Sequence, residues 1–357
     1  VDMYGDIPYT EALQRSNNAT PKYDDALTIY EDLIVQLTAA IDLINNATNP
    51  VEPGTDDAMF GGDMTDWIRF ANSIKMRILA RQSDMAGRET YIQNAINDIV
   101  ADGTGFITTD VKINPGYVAE VDKQNPMWEV FGKDPSGAWT TNHKATCATD
   151  YVLAYLTSTN DTRINYIYEL PSTGTHKGVP QGLLDYDTPI VDQYMPEKVS
   201  LIGPGILKGA TMGSVIFTLA ECNFNRAELA LKTFYTEETA EACYNQGIEA
   251  SFAMLGASAD YGTYIAQAMN LVSWASSADK LQAIITQKWI AVNGVTAEQS
   301  WFDYSRTGFP AGLPVSLLAS TPDRPVRLFY PAGETTSNGG NIPAQPNAFT
   351  AKIFWAN

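Results

Sequence analysis

Between Asp24 and Ile44 apolar side chains fall at Tyr30, Leu33, Ile34, Leu37, Ile41 and Ile44. This three-and-four spacing predicts a helix with one buried stripe, and Asp24 stands where it could cap the start. After a loop from Asn45 to Asp63, Thr65 and Asp66 open a second helix with Trp67, Phe70, Ala71, Ile74 and Ile78 on one face. Its Arg69, Lys75, Arg77 and Arg81 belong either to a solvated face or to internal ion pairs. A third helix carries Tyr91, Ile92, Ala95, Ile96 and Ile99 and stops at Gly103, a residue suited to the left-handed position past a helix end.

The pattern changes from about Phe106 to Gly209, where Pro, Gly, Tyr and Asn interrupt every short apolar run. This predicts a loop-rich insertion, about 106–209, with one helix near Thr149 to Ser158. Helical patterning resumes from Met212 to Leu231 and from Glu237 to Leu255. In the latter, Thr236 is the candidate N-cap, Gly256 the stop, and Ala240, Tyr244, Ile248, Phe252 and Leu255 form the stripe. A further helix runs from Asp279 to Gly294 through Leu281, Ile284, Ile285, Trp289 and Val292, with Asp279 and Gln282 resembling a capping box. It leads into a turn crowded with aromatics, Trp301 to Pro310. Beyond that the chain reads as coil, with Glu334 to Asn347 an extended surface segment. The elements add up to a mainly α fold of paired helices with long irregular loops. No period of ~34 residues is strong enough to assign tandem repeats.

Composition narrows the partners. A 45% hydrophobic content over 357 residues supports a substantial core, and 23 basic against 41 acidic residues give a formal charge of −18. Such a charge repels nucleic acid and anionic lipid alike. No window reaches the ~18 consecutive apolar residues of a membrane helix. Cys147, Cys222 and Cys243 have no metal-type spacing and read as buried thiols. With only His143 and His176, far apart, a histidine zinc site or a Ser-His-Asp triad has little raw material. Nucleotide-binding glycine motifs are absent, so no cofactor is expected. The chain begins at Val1 inside a patterned segment, without an initiator Met or a signal core, so its N-terminus is expected to be incomplete.

Three chemistries remain to be weighed. Asp56-Asp57, Asp185-Tyr186-Asp187 and Glu237-Glu238 could supply the two acids of a glycosidase, but 41 acids produce such doublets without design. Thr55-Asp56-Asp57 with Gly61-Gly62-Asp63 and Asp66 suggests a calcium loop, yet the alternating acids and closing glutamate are missing, and a turn before a capped helix is the better account; no metal site is expected. Aromatics are more informative. Trp128, Phe131 and Trp139 lie in the loop segment Asn125 to Thr140, where flat apolar rings can stack on sugar faces or can plug the loop onto the core. Trp67, Trp289 and Trp301, on or beside helical stripes, are read as core.

Taken in order, several segments resemble the SusD/RagB group of Bacteroidetes outer-membrane lipoproteins, in particular its SusD-like second subfamily. These are Tyr4-Gly5-Asp6-Ile7-Pro8-Tyr9-Thr10-Glu11-Ala12, Thr20-Pro21-Lys22-Tyr23-Asp24 with Ile29-Tyr30, and Gly61-Gly62-Asp63 with Trp67 and Phe70-Ala71-Asn72-Ser73-Ile74-Lys75-Met76-Arg77. Downstream follow Asn160-Asp161-Thr162-Arg163, with Thr162 at the family's usual proline, then Ala220-Glu221 and Asn225-Arg226-Ala227-Glu228. The C-terminal signatures are Ile285-Thr286-Gln287-Lys288-Trp289, Tyr304-Ser305-Arg306-Thr307-Gly308-Phe309-Pro310, with Ser305 where a second arginine is common, and Arg327-Leu328-Phe329-Tyr330-Pro331.

The resemblance implies a single SusD-like domain over 1–357, an α/α superhelical fold on TPR-like helix pairs, with the ligand site on irregular loops. It also implies a lipid-anchored cell-surface protein over a SusC-like TonB-dependent outer-membrane transporter, with the signal peptide, anchor cysteine and first helices upstream of Val1. The expected function is non-catalytic capture of an oligosaccharide or related nutrient for delivery to that transporter. Trp128 and Trp139 are the leading candidates for ligand contact and Tyr194 a third. The alternatives are a helical-barrel glycosidase using paired carboxylates, and a transporter lid or assembly partner that binds little itself.

Overall fold

The computed structural model describes residues 1–182, 192–316 and 319–356, and these are mainly helical. Helices α1 (Ala26–Asn45), α2 (Met64–Arg81) and α3 (Glu89–Asp102) open the fold. Short helices α4 (Pro126–Phe131), α5 (Thr141–Ala145), α6 (Asp150–Ser158) and α7 (Ile164–Ile167) punctuate the loop-rich stretch. The long helices α8 (Leu219–Leu231), α9 (Ala240–Leu255) and α11 (Lys280–Val292) follow, with α10 (Tyr261–Ile265), α12 (Glu298–Thr307) and α13 (Ala332–Ser337) between and after them. Two small antiparallel ladders lie among the described residues: β1 (Ile7–Pro8) with β2 (Tyr23–Asp24), and β3 (Val111–Ile113) with β4 (Ser214–Phe217).

Helix boundaries shift where side chains find better employment. Asp25, not Asp24, caps α1 by accepting from the Thr28 N–H at 2.9 Å. Asp24 instead accepts from the backbone N–H groups of Tyr9 and Thr10, tying the opening segment to the helix entry. Thr239, rather than Thr236, caps α9. The helix expected from Met212 begins only at Leu219, because Ser214-Val215-Ile216-Phe217 pairs with β3 as a strand, a choice that suits its β-branched centre. Trp301 to Thr307 is helical, not turn: α12 ends at Gly308, whose φ of +76° supplies the left-handed cap. Within the expected coil, α13 forms a short helix.

The core centres on α8, which packs against α2, α9 and α11. Residues Ala220 to Leu229 of α8 are all buried although five of them are charged or amide side chains. Each of the five has a partner from a neighbouring element or from α8 itself. Arg77 of α2 grips Glu221 with both forks, at 2.7 and 2.9 Å. Lys288 of α11 donates to Asn225 at 2.8 Å, and Asn223 accepts from Arg226, which also pairs with Glu238. Glu228 accepts from Arg306 and Lys232. Buried charge is tolerated here because it is paired and hydrogen-bonded. Of the α2 cations, Lys75 and Arg81 are buried and Arg77 is internal; Arg69, half-buried, meets Asp66.

A second apolar cluster, built from Val152, Leu153, Leu156, Ile167, Ile206 and Leu255 among others, fastens the loop-rich stretch to α9 and α11. Its polar anchor is Arg163, fully buried, which donates to Asp161, to Ser251 of α9 at 2.9 Å and to Gln287 of α11 at 2.7 Å. Trp67, Trp289 and Trp301 are half-buried at the rims of their clusters, not enclosed in the core as expected. Two of the indole N–H groups are satisfied within the protein, Trp67 Nε1 by Asp57 and Trp301 Nε1 by Pro325 O. Cys222 and Cys243 are buried free thiols, while Cys147 is half-buried. No helix among the described residues is long and apolar enough to cross a membrane.

Candidate functional site

The aromatic site is assembled from a capped turn of helix, a tight hairpin and a second capped turn. Asn125 starts α4: its Oδ1 accepts from the N–H groups of Met127 and Trp128 at 3.0 and 3.1 Å, and Pro126 needs no partner at the first helical position. Its Nδ2 donates to Met212 O and Ser214 Oγ, both at 3.0 Å, which fixes the helix to the β4 edge. Trp128 then folds its ring over Gly132. A Cβ at position 132 would stand 2.5 Å from the Trp128 ring, so only glycine fits there.

Lys133 and Trp139 face one another across a small bridge closed by Asp134 to Ala138. Asp134 organises that turn by accepting from Ser136 Oγ at 2.6 Å, Ser136 N at 2.9 Å and Ala138 N at 3.0 Å, and Gly137 takes the left-handed φ of +89°. The Ser136 hydroxyl bond first, and the backbone donors with it, lower the Asp134 pKa. Thr140 then caps α5 through the His143 N–H, and this places His143 one turn after Trp139.

The result is a braced pair of tryptophans. Trp128 and Trp139 lie 6.3 Å apart between ring centroids, tilted by 48°. The His143 imidazole stacks on Trp139 at 3.9 Å and 10°, and Lys133 Nζ stands 4.6 Å from the same ring centre. His143 is itself buried, its Nδ1 3.0 Å from Phe131 O and its Nε2 3.7 Å from Glu169. Trp139 remains 36% exposed and Trp128 half-buried, so the pair offers apolar surface beside an ammonium group and the exposed Glu129 and Asp134. Flat apolar surface with hydrogen-bonding groups at its edge suits a sugar or another planar polar ligand.

Tyr194 belongs to a different surface. It ends a short 3-10 turn, is half-buried, and has Lys177 Nζ 4.7 Å from its ring centre. It lines an open groove of about 530 Å³ with Asp150, Thr157, Ser158 and His176. A neighbouring groove of about 550 Å³ shares Thr157 and His176 and adds Asn160 and Asn165. His176 is held between Asn165 Oδ1 and Ser200 Oγ, and burial lowers its pKa. Thus two of the three sequence candidates meet, and the third stands with polar groups that sequence reasoning did not single out. Lys133 and His143 were missed as parts of the tryptophan site, although Trp139 and His143 are four apart across the Thr140 cap.

One acid of each described doublet, Asp57 and Glu238, has other employment. Asp57 accepts from Met59 N, Phe60 N, Gly62 N and Trp67 Nε1, between 2.9 and 3.2 Å. Partial burial, the largest single influence, pushes the Asp57 pKa up, but those donors together outweigh it and hold the carboxyl at about 2. Asp63 caps α2 and Asp66 pairs with Arg69, so the acids considered for calcium already serve a turn and a helix start. Glu238 pairs with Arg226 while Glu237 is exposed. Asp185 and Asp187 lie outside the described residues. Among the described residues no three His, Cys, Asp or Glu side chains are grouped to hold a metal.

Comparison with known proteins identifies the architecture. The SusD-like second-subfamily profile, described as starch-binding associating with outer membrane, matches residues 1–331. No curated protein matches the chain. Among solved structures, a SusD homologue from Bacteroides uniformis is 23% identical with a TM-score of 0.80, covering 100% of this chain and 78% of its own. A chitin-binding SusD homologue from Flavobacterium johnsoniae is 22% identical with a TM-score of 0.76, covering 99% and 77%. One from Bacteroides vulgatus is 22% identical with a TM-score of 0.78, covering 99% and 76%. These identities speak for a shared fold, and with a family match running from the first residue past Arg306 and Arg327, this chain belongs to the SusD-like family.

Proposed function

We propose that the protein is a non-catalytic, cell-surface glycan-binding component of the outer membrane that passes its ligand to a SusC-like TonB-dependent transporter. The observation that carries the binding half of this reading is the Trp128 and Trp139 pair, braced by His143 and Lys133 on the loop-rich face. Family membership supports the glycan class, and the chitin-binding relative from Flavobacterium johnsoniae supports an oligosaccharide more specifically. A ligand handed to a transporter must also leave, so dissociation constants of about 1 µM to 1 mM are expected, or roughly −8 to −4 kcal/mol. Tyr194 and the grooves around His176 form a second contact region for the same chain of sugars.

Engagement of Asp57 and Glu238 in turn formation and ion pairing supports binding over hydrolysis. Calorimetry with starch, chitin and hemicellulose oligosaccharides tests the reading. Trp139→Ala is expected to weaken the responsive glycan at least about tenfold, or ~1.4 kcal/mol, with no change in folding. Binding that survives Trp139→Ala but falls with Tyr194→Ala would move the site to the second groove. Sustained release of cleaved product, abolished by one Asp or Glu substitution, would replace the proposal with an enzyme.

A further inference from the structure

Apart from the tryptophan pair lies a recess of about 200 Å³ lined by Met127, Met212 and Met254 with Ile206, Val215 and Val295. Its polar lining is Asn125, Ser214, Lys112 and Lys208. Asn125 is spent, its Oδ1 on Met127 and Trp128 and its Nδ2 on Met212 O and Ser214 Oγ. Ser214 Oγ is also within 3.2 Å of Tyr117 OH. The spare polar capacity is therefore cationic. Lys208 donates one N–H of its ammonium to Met254 O, which leaves two, and Lys112 stands 3.5 Å from Asp110. Asp110 Oδ1 is engaged with Leu219 N, and no acidic residue lines the recess, although the whole chain carries a charge of −18. Both lysines are exposed, which puts the positive charge at the mouth and the thioethers inside.

We propose that this recess binds a compact organic carboxylate, its ring or short alkyl body among Met127, Met212 and Met254 and its carboxylate between Lys112 and Lys208. An apolar cavity of ~150 Å³ admits benzene, so the larger volume here takes a ring with a short acidic arm. Thioether side chains adapt their rotamers to such a body. An anion also relieves a cost already present. Although the Lys208 side chain is exposed over much of its length, desolvation of its ammonium at Met254 O first and the nearby Lys112 charge second lower its pKa, Asp110 offsets them in part, and a bound carboxylate would oppose both.

The test is a titration of the intact chain, labelled with methyl-¹³C methionine, with phenylacetate, hexanoate and benzyl alcohol. The three methyl signals are assigned by Met→Leu exchanges, which cores tolerate. Phenylacetate is expected to shift the Met127, Met212 and Met254 methyls, and benzyl alcohol to bind about tenfold more weakly because it lacks the charge-assisted bonds. Lys112→Gln with Lys208→Gln should reduce phenylacetate to the level of the alcohol at an unchanged melting temperature. No shift of these methyls at about 10 mM acid, where even binding of ~−3 kcal/mol would register, overturns the site. Equal affinity for acid and alcohol on the unaltered protein, a comparison that needs no variant to fold, overturns the role of the lysines.

Discussion

Arg306 and Gly132 show how much single residues decide. Arg306 joins Glu228 of α8, Asp84 and Asp303, with Nη2 to Glu228 at 2.7 Å and Nη1 to Asp84 at 2.8 Å. Burial, the largest influence on Glu228, pushes its pKa up, but Arg306 and then Lys232 outweigh it and bring the carboxyl from 4.5 down to about 2. The folded pKa is depressed, so this carboxylate stabilises the fold above the unfolded value near 4.5, and its contribution is lost as pH falls through 2. The shift corresponds to about 3 kcal/mol. Urea titrations should therefore find Glu228→Gln less stable than the parent by roughly that amount at pH 7, with the gap closing between pH 4.5 and 2; a gap independent of pH would refute the assignment. Gly132 sets the tryptophan site in a different way. In Gly132→Ala the new Cβ would meet the Trp128 ring at 2.5 Å and the Trp128 carbonyl oxygen at 2.6 Å, so both the ring and the end of α4 must shift. Glycan affinity should fall about tenfold while far-ultraviolet circular dichroism changes little, because the disturbance is confined to Trp128 and the end of the six-residue α4.

At the scale of elements, periodicity reveals which segments are helices, but not what a polar residue on them will meet. The stripes of α1, α2, α3, α9 and α11 are legible because burial on one face leaves a three-and-four signature. Helix α8 is legible only as part of a longer pattern from Met212 to Leu231, and its burial all round is not, since its Glu221, Asn225 and Glu228 are matched by partners from α2, α11 and α12 far along the chain. Strand β4 was hidden for a related reason: its pairing with β3 spans the loop-rich stretch, and Ser-Val-Ile-Phe carries too few residues to separate strand from helix. Short α4 and α5 exist through their caps. Replacing the Asn125 cap with Ala should destabilise the protein by about 1 kcal/mol or more, because two helix N–H groups and the tie to β4 are lost together. Thermal denaturation measures that loss, and the same variant should bind glycan more weakly, since Trp128 stands one turn inside the helix it starts.

Over the whole molecule, family signatures identify the scaffold, and physical reasons explain why they say little about the ligand. Arg163, Gln287 and Arg306 are interior fasteners that hold loops to helices, so motifs containing them report the fold. The candidate ligand surface instead uses partly exposed rings on a short helix and the hairpin after it, legible only because Trp128 and Trp139 are close in sequence. Tyr194, more than fifty residues further along, stands on another surface, and nothing local in the sequence could tell which loops converge. The net charge of −18 supplies the remaining constraint. Its field reaches about one Debye length, ~10 Å at 0.1 M salt, and opposes the approach of polyanions to a shallow aromatic site. A neutral glycan has no such cost, because stacking and hydrogen bonds on Trp128 and Trp139 depend little on ionic strength. Affinity for a neutral oligosaccharide should thus change less than about twofold between 50 and 500 mM sodium chloride, while a sulfated or uronic-acid chain of equal length should bind more weakly at low salt and recover as salt rises. Calorimetry at the two ionic strengths separates the outcomes. Strong binding of the polyanion at low salt that weakens with added salt would mean that Lys133, and not the rings, dominates the site.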